Sequence, residues 1–300
     1  MTSGPGVTPA AIGRSAASRL GLLAGIWGVS FLFVELALHG LNPVRIAFGR
    51  ITLGAATLLL YLVARGWPLP RGATTWAHLA VVSVFGNVVP WLAYAWGQQY
   101  VSSGLAGVCN ATTPLFTVAL ATVVLPEERA TPTAVSGLGL GFLGTVLVLA
   151  PWDTAGSPAL GGSLACVGAA ASYGVAITYT RRYLSGRGSP PVLAAAQLLC
   201  AAGLMVTLAP FWLAPAALTP KVAGSMVMLG AVGTAAAYLL FYRLIGEIGA
   251  TASSTVTYLI PVVAVVVGVI FLQESVGWHT LAGAAVVLLG VWVAGRRPQR

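Results

Sequence analysis

Residues 100–145 read YVSSGLAGVCNATTPLFTVALATVVLPEERATPTAVSGLGLGFLGT, and residues 247–291 read EIGATASSTVTYLIPVVAVVVGVIFLQESVGWHTLAGAAVVLLGV. The two stretches agree in their landmarks more than in their letters. Pro114 matches Pro261 and Glu127 matches Glu274 at an offset of 147; Gly137 matches Gly283 and Gly144 matches Gly290 at 146, after a one-residue slip. Upstream, Pro43 pairs with Pro190, Arg50 with Gln197, Gly86 with Gly233, Trp91 with Tyr238, and Trp27-Gly28 with Tyr173-Gly174. So many landmarks recurring at nearly one offset mark an internal duplication. In an apolar chain, duplication is the construction plan of many membrane transporters.

Composition places the chain in lipid. Hydrophobic residues make up 58% and charged residues 7%, with a mean hydropathy of +0.90, whereas a soluble globule carries roughly a quarter of its residues charged. A helix needs roughly 20 apolar residues to cross the hydrocarbon core. Ten charge-poor windows of about that length lie near 20–39, 43–63, 76–98, 101–125, 132–150, 161–180, 190–213, 222–242, 250–272 and 278–294. The connections are short and rich in Pro, Gly, Ser and Thr, as in 66–75 and 151–160, which leaves no room for a catalytic domain outside the membrane. The first window follows Arg14 and Arg19 and lacks a small-residue cleavage site, so it reads as a retained helix and not as a signal peptide.

With ten spans and a cytoplasmic N-terminus, both termini lie inside. The inner segments then hold Arg14, Arg19, Arg65, Arg71, Arg129, Arg181, Arg182, Arg187, Arg243, Arg296, Arg297 and Arg300, and the outer segments hold Lys221. That asymmetry follows the positive-inside rule. It accounts for the net charge of +9 through contact with anionic lipid headgroups, so a nucleic-acid partner is not implied. Five spans per copy is an odd number, which turns the second copy upside down. The expected fold is therefore an all-α integral membrane protein of ten transmembrane helices, a first repeat at 16–150 and an inverted second repeat at 161–295. Its ligand site falls between the halves, near the midplane.

The stretch Ala95-Trp96-Gly97-Gln98-Gln99-Tyr100-Val101-Ser102-Ser103-Gly104-Leu105-Ala106, with Asn110–Phe116 and Leu125-Pro126-Glu127-Glu128-Arg129 after it, resembles the EamA module of the drug/metabolite transporter superfamily. Trp27-Gly28-Val29-Ser30-Phe31, Pro43 with Arg50, Gly249–Pro261 and Gln273-Glu274 add to the resemblance, which covers nearly the whole chain. It implies a ten-helix bundle in the plasma membrane, no cofactor, and export of a small metabolite such as an amino acid, an amino-acid derivative or an amphipathic amine. Glu35, late in the first helix, departs from the neutral or basic residue expected of most relatives.

Charges inside the spans are the first candidates for the site, because each costs on the order of 3 kcal/mol at a helix centre unless it is paired or wetted. Arg50 lies seven residues past Pro43, about 10 Å below the outer boundary at 1.5 Å per residue. It either grips a substrate carboxylate with its fork or anchors a neighbouring helix. Glu35 either pairs with Arg45 at similar depth or acts as a protonatable carboxylate, coupling transport to a proton gradient or receiving a cation. Glu127, Glu128, Arg129 and Glu274 read as boundary charges.

Asn87, Trp91, Tyr94 and Gln98, spaced 4, 3 and 4, share one helix face. Such a face makes a poor lipid contact and should turn inward, either to pack helices or to line a cavity. Tyr238 and Phe241 repeat the Trp91 and Tyr94 positions, Asn110 and Tyr258 lie near the duplicated prolines, and Tyr173 sits in the sixth span. The candidate cavity is thus Arg50, Glu35, Asn87, Trp91, Tyr94, Gln98, Asn110, Tyr173, Tyr238 and Tyr258.

Other patterns carry no chemistry. Gly139–Gly144 spells GxGxxG without a preceding strand and reads as helix-packing glycine. Cys109, Cys166 and Cys200 lack ligand spacing, and His39, His78 and His279 are isolated near span ends, so no metal is expected. Asn110-Ala111-Thr112 is a glycosylation sequon inside a span, where it is unusable. The six acids are dispersed, which argues against a membrane enzyme. The expectation is a secondary exporter of a small organic metabolite working by alternating access, as a monomer or homodimer. A passive channel or lipid flippase of the same architecture is the alternative.

Overall fold

A computed structural model describes residues 14–125, 131–208 and 216–294. Glu127, Glu128, Arg129, Arg296, Arg297 and Arg300 lie outside them. No strand occurs among the described residues. The chain runs through α1 (Arg14–Leu38), α2 (Pro43–Ala64), α3 (Ala73–Ser83), a π segment (Val84–Val88), α4 (Val89–Gly97), α5 (Ser103–Asn110), α6 (Thr113–Val124) and α7 (Pro132–Leu149). A short α8 (Pro151–Thr154) follows. Then come α9 (Pro158–Tyr183), α10 (Pro190–Val206), α11 (Pro220–Val227), a second π segment (Met228–Ala236), α12 (Ala237–Ser253), α13 (Val256–Leu272) and α14 (Trp278–Ala294).

Seven helical stretches, some of them made of two successive helices, are long and apolar enough to cross a membrane: 15–38, 43–64, 73–97, 103–124, 132–154, 158–183 and 220–249. Three shorter apolar helices, α10, α13 and α14, accompany them. Large apolar side chains stand on the outside, among them Leu60, Val63, Val123 and Phe271 at 71%, 77%, 84% and 69% exposure. Water would penalise such a surface and lipid does not, so this is a multi-pass membrane protein.

The helix starts follow from local chemistry. Asn42, Thr131 and Thr219 each precede a proline and accept a backbone N–H with the side chain, from Arg45, Ala134 and Val222. The cap satisfies an orphan donor, and the proline needs none. Some expected boundaries differ. The window 101–125 divides into α5 and α6 at Ala111–Thr112, just before Pro114, whereas Pro261 stands inside α13. The window 222–242 extends to Ser253, with a break at Gly249, whose φ of 81° suits glycine. The last part of the window 190–213 passes outside the described residues.

The packing repeats itself with the partners exchanged. A Cβ on Gly28 of α1 would strike Val263 of α13, and one on Gly174 of α9 would strike Phe116 of α6. Trp27 lies 5.4 Å from Phe241 with the rings tilted, and Tyr173 lies 6.3 Å from Tyr94. Gly233 faces Ser30, and Gly86 faces Ala176. On α7 and α14, a Cβ on Gly144 would stand 2.9 Å from Gly283 O, and one on Gly290 would stand 2.7 Å from Gly137 O. The order of these contacts makes α7 and α14 antiparallel, with glycines allowing close approach. At one end Arg19 of α1 and Arg243 both pair with Glu247 of α12, at 2.6 Å and 2.9 Å.

Candidate functional site

The two π segments sit at corresponding positions of the duplication, 84–88 and 228–236, and the polar centre of the bundle is built around them. An extra residue per turn frees backbone carbonyls, and π segments concentrate at functional positions for that reason. Ser172 of α9 donates to Phe85 O at 2.8 Å, and Thr234 donates to Leu229 O at 2.9 Å.

Arg50 of α2 points at this region and is partly accessible. Its Nε donates to Thr234 Oγ1 at 3.1 Å, and its guanidinium carbon lies 4.3 Å from the centroid of Trp91, a cation–π geometry. The indole of Trp91 donates to the Tyr173 hydroxyl at 2.7 Å. The mirrored contact is neutral: Gln197 of α10, the counterpart of Arg50, donates to Asn87 Oδ1 at 2.6 Å. Asn87 is in turn the counterpart of Thr234, at the offset of 147. One crossing between the halves therefore carries a charge and its twin carries an amide pair.

Around this pair, Tyr94 donates to Asn110 Oδ1 at 3.0 Å and meets Phe31 edge-on at 5.4 Å. Gln98 donates to Phe31 O at 2.9 Å. Asn87, Trp91, Tyr94 and Gln98 are all nearly inaccessible. Tyr238 lies beside Asn87 and the Arg50 guanidinium, and 6.2 Å from Tyr242. Eight of the ten expected residues thus gather in one connected region: Arg50, Asn87, Trp91, Tyr94, Gln98, Asn110, Tyr173 and Tyr238. Thr234 and Tyr242 join them without having been singled out. Thr234 was legible only as the position matching Asn87.

The other two stand apart. Glu35 lines a pocket of about 330 Å³ with His39, Val101, Ser102, Leu272 and Glu274. One of its oxygens, Oε2, is buried without a hydrogen-bond partner. Arg45 is not among the charges that act on Glu35, which are His39 and Glu274. Glu274 accepts from Ser103 N at 2.7 Å and Gly104 N at 3.0 Å, closing the N-terminus of α5, so it ties α13 to α5 as a cap. Tyr258 packs toward Ala111, Leu115 and Val287. A second, apolar groove of about 460 Å³ runs between Phe85, Val89, Phe116, Leu120 and Val175.

A buried aromatic and amide network on two π segments, inside a bundle with an apolar exterior, defines a polytopic membrane protein with a polar centre. A family model for the EamA-like transporter family matches residues 17–150 and again 160–296, and the chain belongs to that family. An uncharacterized transporter of Archaeoglobus fulgidus is 28% identical over 281 residues, covering 93% of this chain and 98% of its own. A protein of Streptantibioticus cattleyicolor named a probable terminal-alkyne amino-acid exporter is 25% identical, covering 90% of each chain. An uncharacterized inner membrane transporter of Escherichia coli is 26% identical, covering 89% of this chain and 85% of its own. A crystal structure superposes with a TM-score of 0.66 over 94% of this chain and 97% of its own, at 21% identity, which speaks for the fold. A membrane transporter implies a small-molecule substrate and a lipid environment.

Proposed function

We propose that this protein is a secondary transporter that exports a small organic metabolite across the plasma membrane by alternating access. In this reading ten helices form two inverted halves, 16–150 and 161–295, with both termini cytoplasmic and Lys221 outside. The exchanged contacts carry the reading. Arg50–Thr234 with Gln197–Asn87, Gly28–Val263 with Gly174–Phe116, and Trp27–Phe241 with Tyr173–Tyr94 each join one half to the other. In this reading the exchange reflects a pseudo-twofold axis, which five spans per half would place in the membrane plane and about which the two halves rock around a fixed site. Arg50, Asn87, Trp91, Tyr94, Gln98, Asn110, Tyr173 and Tyr238 line that site. The name of the Streptantibioticus cattleyicolor relative supports a small organic cargo. Glu35, in its separate pocket, is the candidate for proton coupling.

Solute counterflow tests the reading. Proteoliposomes loaded with unlabelled cargo and diluted into labelled cargo should transiently accumulate label, with saturation. Simple equilibration without overshoot indicates a channel and refutes the carrier.

A further inference from the structure

The hydrogen-bond inventory of the central region is lopsided. Arg50 spends Nε on Thr234 and its face on Trp91, and its two terminal amino groups have no protein acceptor among the described residues. Tyr173 accepts from Trp91 and offers its own proton to no described acceptor. Asn87 Nδ2 is turned to the Tyr238 hydroxyl, with no acceptor in closer geometry among the described residues. No described carboxylate forms an ion pair with Arg50, and Glu35 and Glu274 belong to the other pocket. Around Arg50, donors and one positive charge thus converge without a counter-charge; the unpartnered acceptor of this region, Gln98 Oε1, stands seven residues past Trp91, about 10 Å further along α4. An ionised carboxylate accepts only and brings the missing charge; an ammonium donates only and would face donors and a like charge.

We propose that the cargo is an organic carboxylate without an ammonium group of its own. Its carboxylate takes the Arg50 fork and the Tyr173 proton, and its apolar body lies against the partly accessible rings of Tyr238 and Tyr242. This inference rests on the reading of the central region as the cargo site. The duplication adds a consequence: Gln197 occupies the same position in the other half, so the carboxylate binds on the Arg50 side of the pseudo-twofold axis and the cargo has a single orientation.

Three probes with one ring and three charge states test this on the purified full-length protein by titration calorimetry: 3-phenylpropionate, phenylalanine and phenethylamine. The anion should bind at least about tenfold tighter than the cation, with the zwitterion between them. Arg50→Lys keeps the charge without the fork and should weaken the anion about tenfold. Arg50→Gln with Gln197→Arg moves the charge to the twin crossing and should recover part of the binding lost in Arg50→Gln alone. Tighter binding of phenethylamine, or no saturable binding of 3-phenylpropionate to the unaltered protein, overturns the proposal whatever the variants do. Counterflow separates the two readings. Exchange of phenethylamine but not of 3-phenylpropionate leaves a carrier of another specificity, whereas binding of the anion without exchange keeps the anion site and removes the carrier.

Discussion

Replacing Glu274 by glutamine changes one oxygen for an amino group and leaves the volume nearly unchanged. In the native protein Oε1 accepts from Ser103 N and Oε2 from Gly104 N, at 2.7 and 3.0 Å. Hydrogen bonds to a charged group contribute about 1.5–3 kcal/mol each, and a negative charge at a helix N-terminus adds about 0.3–1 kcal/mol. Glutamine retains one acceptor and sets a donor against the other N–H, so the expected loss is about 2–4 kcal/mol. At about 2–4 °C per kcal/mol for a chain of roughly this size, the melting temperature in detergent should fall by about 4–16 °C. Glu274→Asp, too short to reach both N–H groups, should fall between glutamine and the native residue. A Glu274→Gln protein melting within about 1 °C of the unaltered one would refute the capping role, because among the described residues Glu274 is the acceptor for both donors.

Further outcomes follow from the packing and the crossing pair. Gly144→Ala places a methyl group 2.6 Å from Val287 N and should cost about 1–3 kcal/mol. Gly139→Ala meets open space and should gain about 0.5–1 kcal/mol; equal melting shifts for the two would contradict the antiparallel pairing of α7 and α14. Thr234→Val preserves shape but removes the acceptor of Arg50 Nε, with an expected loss of about 1–3 kcal/mol in thermal unfolding, and an unchanged melting curve counts against that hydrogen bond. An impermeant amine reagent should modify Lys221 in intact cells, and protection there with labelling in inverted vesicles would reverse the topology.

The duplication was readable because prolines, glycines and one acid keep their spacing even where the letters differ. Arg50 and the 4-3-4 face stood out because charge and amides are costly in lipid. The joining residues were harder to see. Thr234 sits in a run of Gly, Ala and Val with no sign of its role, since a threonine in such a helix usually bonds its own backbone, and here it does that and also accepts from α2. Asn87 falls inside a π segment, which departs from the 3.6 period that the spacing assumed. Glu35 was grouped with Arg50 from its position in a span, but sequence gives depth along a helix and not the neighbour across it. The same limit produced the expected pairing with Arg45, whereas the charges that act on Glu35 are His39 and Glu274. Pro114 and Pro261 are matched in sequence, yet one starts a helix and the other lies within one, because proline tolerates both placements when nearby packing compensates.

Two spin-label distances test the rocking of the halves most directly. One pair spans the Glu35 end, at His39 and Gln273, both exposed. The other spans the opposite end, at Val123 and Tyr183, next to the contact of Arg182 with Val124 O. In proteoliposomes, pulsed dipolar spectroscopy should find two populations for each pair in opposition: as cargo is added, the fraction with a long distance at one end should rise as the fraction with a long distance at the other falls. Distances that lengthen together at both ends, or that stay single and fixed when cargo is present, would contradict a carrier built on two halves turning about the Arg50 crossing.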